Sequence, residues 1–130
     1  MPVTPLYAAI LALVFVALSV RTLRLRHTLR VAIGDGNEPR LARAARVHAN
    51  FAEYVPLALL LAYLLEAGGA PRPAMHLLCM SLLVGRLAHA WGVSQVREDF
   101  RFRVAGMALT SFAIVAAALA LLYRYAVAAA

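Results

Sequence analysis

Residues 45–56 read ARVHANFAEYVP, and the apolar run LALLLAYLL follows them directly at residues 57–65. The first segment carries an arginine, a histidine, an asparagine and a glutamate, and the second has the composition of a membrane-spanning helix. Ionisable groups in or beside such a helix are costly to keep, so they usually face a protein interior or a water-filled cavity and usually serve a function. We therefore expect this stretch to belong to one long membrane helix and to carry the functional site.

The composition of the chain is that of a membrane protein. Its 130 residues are enough for one domain, 64% of them are hydrophobic, and the mean hydropathy is +0.78. The formal net charge is +7, and all of the positive charge comes from arginine because the chain has no lysine. Most arginines cluster at residues 21–46 and 86–103, beside apolar runs, which is typical of the cytoplasmic ends of membrane helices. This pattern indicates a lipid bilayer as the partner and no nucleic acid.

The apolar runs predict an all-α membrane protein, a bundle of four transmembrane helices. We expect the helices at about residues 3–30, 38–67, 74–91 and 100–125, within a single domain over residues 1–130. Asn37 precedes Glu38 and Pro39, a sequence typical of a helix start with a capping side chain. The second helix would measure ~45 Å against a hydrocarbon core of ~30 Å, so its first turns should project from the membrane. With the basic clusters in the cytoplasm, both termini lie on the non-cytoplasmic side.

Three polar residues of the second helix share one face. Arg46, Asn50 and Glu53 are spaced i, i+4 and i+7, and Tyr54 is adjacent to that face. Arg46 and Glu53 are two helical turns apart, about 10 Å, so we expect no direct ion pair between them. Glu53 would then take its cation from another helix or from a ligand.

Two arginines on other helices are the candidate partners of Glu53. Arg86 near the end of the third helix and Arg103 in the first turn of the fourth are expected at the same membrane level. Two interpretations carry equal weight at this point, an ion pair that holds the bundle together and a binding site. His89 lies one turn after Arg86 on the same face, whereas His48 lies off the centre of the polar face. Neither a metal site nor a catalytic triad is indicated by the histidine spacing.

The polar face also carries a resemblance to a known family. The pattern Arg46-x-x-x-Asn50-x-x-Glu53-Tyr54-x-Pro56 resembles the signature of the MAPEG family, the membrane-associated proteins of eicosanoid and glutathione metabolism. Three further segments resemble the bacterial inner-membrane members of that family: Arg30-Val31-Ala32-x-Gly34-Asp35-Gly36, Gly85-Arg86-Leu87-x-His89 with Gly92, and Arg103-x-x-Gly106-Met107. The similarity runs in order over nearly the whole chain.

The resemblance implies a homotrimer that holds glutathione between adjacent subunits near the cytoplasmic face. Glutathione brings two carboxylates for arginine forks and one ammonium group for Glu53, while Asn50 can both donate and accept hydrogen bonds. Arg103 matches the arginine that stabilises the glutathione thiolate. The expected glutathione-binding residues are Arg26, Arg46, His48, Asn50, Glu53, Tyr54, Arg86 and His89.

The function implied by the resemblance is that of a glutathione-dependent membrane transferase or peroxidase. A thiol with a pKa near 8.5 is only a few per cent ionised at neutral pH, and a nearby guanidinium raises the thiolate fraction. The thiolate would attack a small hydrophobic electrophile or reduce a lipid hydroperoxide that arrives from the bilayer. Glutathione is thus expected as the cosubstrate, with no metal, in a multi-pass protein of the bacterial inner membrane whose active site faces the cytoplasm.

Several positions depart from the pattern of the eukaryotic family members. His48 stands where a glutamine is usual, His89 and Val93 stand where tyrosines often line the site, and His27 takes the place of a second candidate catalytic arginine. The alternative is therefore a MAPEG-fold membrane binding or accessory protein that catalyses no reaction. A transporter or channel fits less well, since four spans without a repeat or a broken helix offer little for alternating access.

Overall fold

Long α-helices make up nearly all of the described chain. The computed structural model describes residues 1–97 and 99–128, in which the helices are α1 Thr4–Leu29, α2 Pro39–Ala67, α3 Arg72–Ser94 and α4 Phe100–Ala128. These described residues contain no β-strand. Each of the four helices is long and apolar enough to cross a membrane by length and composition. The prediction of an all-α protein with four membrane-length helices is confirmed.

Helix α3 is longer than predicted at both ends. It begins at Arg72, directly after Pro71, whose extended backbone (φ −66°, ψ 137°) suits a residue that precedes a helix. Pro73 lies in the first turn, where a missing N–H removes no helical hydrogen bond. The helix also continues past residue 91 to Ser94, so His89 lies within a complete helical turn and does not end the helix.

The start of α2 differs from the predicted cap. The residue before the helix is Glu38, and its side chain makes no capping hydrogen bond. Asn37 is instead part of a turn in the left-handed backbone region, with φ 60°, beside Gly34 and Gly36 with φ 74° and 60°. The Asp35 side chain closes this turn by accepting the Asn37 N–H at 3.1 Å. The capping role predicted for Asn37 is wrong because the turn requires a backbone conformation at Asn37 that an N-cap residue does not adopt.

Helices α3 and α4 touch through two glycines. A methyl group at Gly106 would lie 2.6 Å from the carbonyl oxygen of Gly85 and 2.6 Å from the backbone nitrogen of His89. A methyl group at Gly85 would lie 2.9 Å from the Gly106 carbonyl oxygen. Only residues without a side chain allow membrane helices to approach this closely. This contact holds the first part of α4 directly against the second half of α3.

The apolar side chains divide into a narrow core and a wide outer surface. Leu11 of α1, Ala62 of α2 and Leu82 of α3 are fully buried where the helices meet, whereas large side chains such as Leu13 and Leu119 are mostly exposed. Soluble proteins rarely expose apolar surface on this scale. Because the helices satisfy their own backbone polar groups, a lipid bilayer is the environment that suits this surface.

The two ends of the bundle differ in charge. We use the name basic end for the end at which α1 and α3 finish and α2 and α4 begin, because every arginine except Arg72 and Arg124 belongs to its helix halves or its loops. At the opposite end, the Glu66 carboxylate accepts the backbone N–H groups of Val3 and Thr4 and so caps α1. The polar residues predicted to form a site are all on the basic side of the bundle.

Candidate functional site

A cavity of about 580 Å³ opens at the basic end between α2, α3 and α4. Its volume lies within the range of small-molecule sites in proteins. We name it the polar pocket, and its lining residues are Pro39, Ala42, Arg43, Arg46, Asn50, Tyr54, His89, Val93, Arg103 and Met107. The predicted site residues among them are Arg46, Asn50, Tyr54, His89 and Arg103.

Helix α2 supplies one wall of the polar pocket. Arg46, Asn50 and Tyr54 follow each other at four-residue intervals, so they project from one helical face. Asn50 is only 7% exposed, and its side-chain oxygen accepts no hydrogen bond within the described chain. A buried acceptor without a donor costs about 1–3 kcal/mol. A ligand that brings an N–H group into the pocket would remove this cost.

Arg86 of α3 lies buried behind the polar pocket. It is 1% exposed, and its Nε and Nη1 atoms have no hydrogen-bond partner among residues 1–97 and 99–128. Its Nη2 atom lies 3.8 Å from the sulfur of Met107, and its guanidinium carbon lies 5.8 Å from the centre of the Tyr54 ring. Tyr54 and Met107 both line the pocket, so the charge sits directly behind two lining side chains. A buried guanidinium without a counter-ion is a strong indication that an anion belongs nearby.

Helix α4 supplies another wall through Arg103 and Met107. The close approach of α3 and α4 continues to this level, since a methyl group at Gly92 would lie 3.0 Å from the backbone nitrogen of Arg103. His89 and Val93 of α3 are buried and face the same cavity. The contact between the two helices thus brings residues of α3 and α4 to the cavity that the α2 residues line.

The described lining of the polar pocket is basic. It contains three arginines, Arg43, Arg46 and Arg103, and no acidic side chain. Arg43 also donates a hydrogen bond of 3.1 Å to the carbonyl oxygen of Val93, which joins the first turns of α2 to the end of α3. Within the described residues, no group of three or more His, Cys, Asp or Glu side chains is arranged to hold a metal ion. The composition of the pocket favours an anion.

Glu53 lies outside the lining and contacts Arg46. One carboxylate oxygen of Glu53 is 4.0 Å from Nη1 of Arg46, and the two side chains are 52% and 64% exposed. The prediction that two turns of helix keep these charges apart is wrong, because both side chains are long enough to extend along the helix axis toward each other. An exposed pair at this distance contributes at most about 1 kcal/mol. Nor does Glu53 reach Arg86, whose Nε and Nη1 atoms have no partner in the described chain.

Arg26 and His48 lie away from the polar pocket. Arg26 donates to the carbonyl oxygens of residues 31, 32 and 34 and so supports the loop after α1. His48 is 2.9 Å from the Ser19 hydroxyl through Nε2 and stacks on Phe15, with ring centres 4.7 Å apart. Both residues therefore belong to the α1 side of α2, and a single chain does not bring them into the polar pocket.

Some lining residues were absent from the predicted site set. Arg43 continues the i, i+3 and i+4 spacing of the polar face by one further turn, so the helical period contained its signal. Met107 ends a segment that resembles the family motif. Ala42 and Pro39 carry no chemical signal in the sequence and line the cavity only because α2 begins there.

Comparison with known proteins identifies the family of the chain. A model of the MAPEG family matches residues 4–123, nearly the whole chain. The chain belongs to the MAPEG family. Among similar proteins are the inner membrane protein YecN of Escherichia coli K12 and its counterpart in Escherichia coli O6:H1. Each is 39% identical to this chain over 121 residues, which cover 93% of the chain and 91% of the relative.

Three of the four family-like segments of this MAPEG protein contribute residues to the polar pocket, and the segment from Arg30 to Gly36 does not. The signature residues Arg46, Asn50 and Tyr54 form the α2 wall, the segment from Gly85 to Gly92 contributes His89, and the segment from Arg103 to Met107 closes the pocket. Residues that lie far apart in sequence are therefore neighbours in space at the basic end.

Proposed function

We propose that this MAPEG protein binds glutathione in the polar pocket and uses the thiolate as a membrane transferase or peroxidase. Its second substrates would be small hydrophobic electrophiles or lipid hydroperoxides. One observation carries the proposal: the polar pocket gathers residues of the family-like segments from α2, α3 and α4 in front of the buried guanidinium of Arg86, which has no ion-pair partner among residues 1–97 and 99–128. This arrangement has the charge and the hydrogen-bonding groups that a peptide with two carboxylates requires.

Each polar group of glutathione has a complementary partner at this site. A carboxylate can accept a bidentate pair of hydrogen bonds from Arg46, and a second anionic group compensates the charge of Arg86. A peptide N–H group can donate to the unsatisfied oxygen of Asn50. The ammonium group of the ligand pairs with Glu53, whose ion-pair contact within the described residues is the long one with Arg46.

The chemical step proposed for transfer begins with loss of the thiol proton to solvent. The guanidinium of Arg103 stabilises the resulting thiolate, because a positive charge in a low-dielectric site favours the ionised form. The sulfur electron pair then forms a bond to an electrophilic carbon. A leaving group departs with its bonding electrons, or a proton from solvent completes an addition product.

Reduction of a hydroperoxide would use the same thiolate. The sulfur attacks the terminal oxygen of the hydroperoxide and the O–O bond breaks. The alkoxide that is released takes up a proton and leaves as an alcohol. The sulfenic acid so formed reacts with a second glutathione to give the disulfide and water. Two glutathione molecules thus supply the two electrons of the reduction, and no metal is needed.

The proposal includes a homotrimer. Arg26 and His48 match glutathione-contacting positions of the family but lie on the α1 side of the subunit, and Glu53 is exposed. A neighbouring copy whose polar pocket faces the surface around Arg26 and His48 would receive these two residues, so each subunit would complete the pocket of one neighbour. The site would then be complete only in the assembled protein.

We also propose that this protein is a multi-pass protein of the inner membrane with the basic end in the cytoplasm. Four helices can span a membrane by length and composition, and a similar protein of Escherichia coli is named an inner membrane protein. The clustering of arginines at one end supports the orientation, since basic loops remain on the cytoplasmic side. Glutathione would then reach the polar pocket from the cytoplasm and the second substrate from the bilayer.

Binding of glutathione to purified protein in nanodiscs tests the proposal. Calorimetry should show saturable binding that Arg46→Ala weakens at least tenfold, because this change removes a charge-assisted pair of hydrogen bonds. Arg101→Ala is the matched control, since it removes one arginine at the same end outside the polar pocket. Absence of binding to the wild-type protein, or equal weakening by both variants, would refute the assignment.

The alternative is an accessory membrane protein that binds the ligand without catalysis. Val93 supports this alternative, because an apolar side chain lines the pocket where tyrosines often line the site in related proteins. Arg103→Ala distinguishes the two functions. For an enzyme, turnover of an electrophile such as 1-chloro-2,4-dinitrobenzene or of cumene hydroperoxide should fall about 100-fold while glutathione still binds. If the wild-type protein binds glutathione and converts neither substrate class, the accessory function is correct.

A further inference from the structure

A second cavity, of about 930 Å³, lies at the basic end on the other side of the bundle, along α1. It is bounded by the second half of α1, the first turn of α2 and the residues at the end of α3. We name it the arginine slot, after the four arginines in its lining: Arg21, Arg24, Arg40 and Arg97. It shares no lining residue with the polar pocket, so the signature residues do not account for it.

The deep part of the arginine slot is apolar and open to the surroundings of the bundle. Leu13, Val16 and Val20 line it along α1, and they are 73%, 54% and 38% exposed. The 12 residues from Leu13 to Arg24 correspond to a rise of ~16 Å, about half of a ~30 Å hydrocarbon core. The apolar part therefore has the length of one bilayer leaflet and ends where the arginines begin.

The upper part of the arginine slot concentrates positive charge. Arg24 and Arg40 form no ion pair with any residue in the described ranges of the chain. Arg21 is held in place by a hydrogen bond that its Nη1 atom donates to Ser94. Guanidinium groups bind phosphate oxygens through paired hydrogen bonds, and basic pockets between membrane helices bind anionic lipid head groups.

We propose that the arginine slot is a binding site for an anionic phospholipid of the adjacent leaflet. The lipid phosphate contacts Arg21, Arg24 and Arg40, and one acyl chain lies along Leu13 to Val20. The combination of a charged upper part and an apolar deep part in one cavity selects this occupant, because free phosphate would use only the arginines. The proposal stands on residues outside the polar pocket and does not depend on glutathione chemistry.

Lipid retention measured by native mass spectrometry tests this site. The full-length protein is purified in detergent with a mixture of phosphatidylglycerol and phosphatidylcholine, and bound lipids are counted. The wild-type protein should retain phosphatidylglycerol in preference to phosphatidylcholine. The double variant Arg24→Gln/Arg40→Gln should weaken this retention about 20-fold, since each arginine near the head group contributes about a fivefold factor.

The matched control is Arg30→Gln/Arg101→Gln, which removes the same charge at the same end from positions outside the arginine slot. The control should retain the lipid as the wild type does. Equal loss in both double variants would overturn the proposal, because it would show a general effect of surface charge. Equal retention of both lipid classes by the wild-type protein would overturn it as well.

A third variant separates a lipid from a free anion and does not depend on the arginines. Ala17→Trp fills the apolar part of the slot at an exposed position and leaves all four arginines in place. It should lower phosphatidylglycerol retention while thermal unfolding of the protein stays unchanged. If Ala17→Trp has no effect and millimolar inorganic phosphate displaces the lipid, the slot binds phosphate alone and the lipid proposal is wrong.

Discussion

The guanidinium carbon of Arg86 lies 5.8 Å from the centre of the Tyr54 ring, and this contact joins the interior of α3 to the α2 wall of the polar pocket. A cation over an aromatic ring is stabilised by the electron-rich face of the ring, but by less than a buried charge requires. Arg86 therefore stays under-compensated in the free protein. Its charge is available to an anion that enters beside Tyr54.

Replacement of Arg86 by methionine tests whether this charge is kept for binding. Arg86→Met should raise the free energy of unfolding of the ligand-free protein by about 1–4 kcal/mol, because an apolar side chain of similar length fits the buried site without a desolvation cost. The same variant should lose the stabilisation that glutathione gives to the wild type. Thermal unfolding with and without glutathione measures both effects. A less stable variant that glutathione still stabilises would show that Arg86 serves only the packing of α3.

The unsatisfied oxygen of Asn50 leads to a similar separation of stability and binding. Asn50→Leu removes a buried acceptor that has no donor in the described chain, so the ligand-free protein should lose no stability. Glutathione affinity should fall about tenfold, because the ligand loses one hydrogen bond in a buried site. Calorimetry measures the affinity, and Gln95→Leu, an exposed change outside the polar pocket, is the control. Unchanged affinity in Asn50→Leu would exclude this residue from the site.

The long contact between Glu53 and Arg46 predicts a small structural effect and a larger functional one. Glu53→Gln should change the free energy of unfolding by less than about 1 kcal/mol, since the two side chains are 52% and 64% exposed. Its glutathione affinity should fall at least tenfold if Glu53 holds the ammonium group of the ligand. The control is Glu38→Gln, which removes one carboxylate at the exposed start of α2 and should change neither the free energy of unfolding nor the glutathione affinity by much. A large loss of stability with unchanged affinity would restore the interpretation of Glu53 as a structural ion-pair residue.

The glycine contact between α3 and α4 predicts that a single methyl group disturbs the polar pocket. Gly106→Ala would place its Cβ atom 2.6 Å from two backbone atoms of α3, so the helices must separate. We expect a loss of about 1–3 kcal/mol in stability together with weaker glutathione binding, because Arg103 and Met107 would move with α4. Ala108→Val, at an exposed position of the same helix, should change neither quantity. Normal stability and affinity in Gly106→Ala would contradict the role assigned to this contact.

The sequence predicted the four helices because a bilayer imposes strict conditions on a chain. A span needs about 20 apolar residues with internally satisfied backbone groups, and the chain shows four such runs separated by turn residues. The ends of the helices were less predictable. The extra residues at both ends of α3 and the turn at Asn37 depend on local backbone geometry, which hydropathy does not describe.

The candidate site shows the same division at the level of side chains. Arg46, Asn50 and Tyr54 share a helical face by spacing alone, so the α2 wall could be predicted from the sequence. The position of His48 against Phe15 and Ser19 could not, because it depends on which face of α2 packs on α1. The contact between Arg46 and Glu53 depends on side-chain conformation, which residue spacing does not determine.

By itself, the sequence of this MAPEG protein determined a four-helix membrane fold, the clustering of positive charge at one end and the composition of the α2 face. These properties are local, because hydropathy and helical period act over neighbouring residues. Only the tertiary structure decided that α4 lies against α3 at Gly85 and Gly106, that Arg86 is buried without a counter-ion among the described residues, and that the polar pocket and the arginine slot are separate cavities. Burial and the pairing of charges depend on how helices pack, and helix packing joins residues that are distant in the chain.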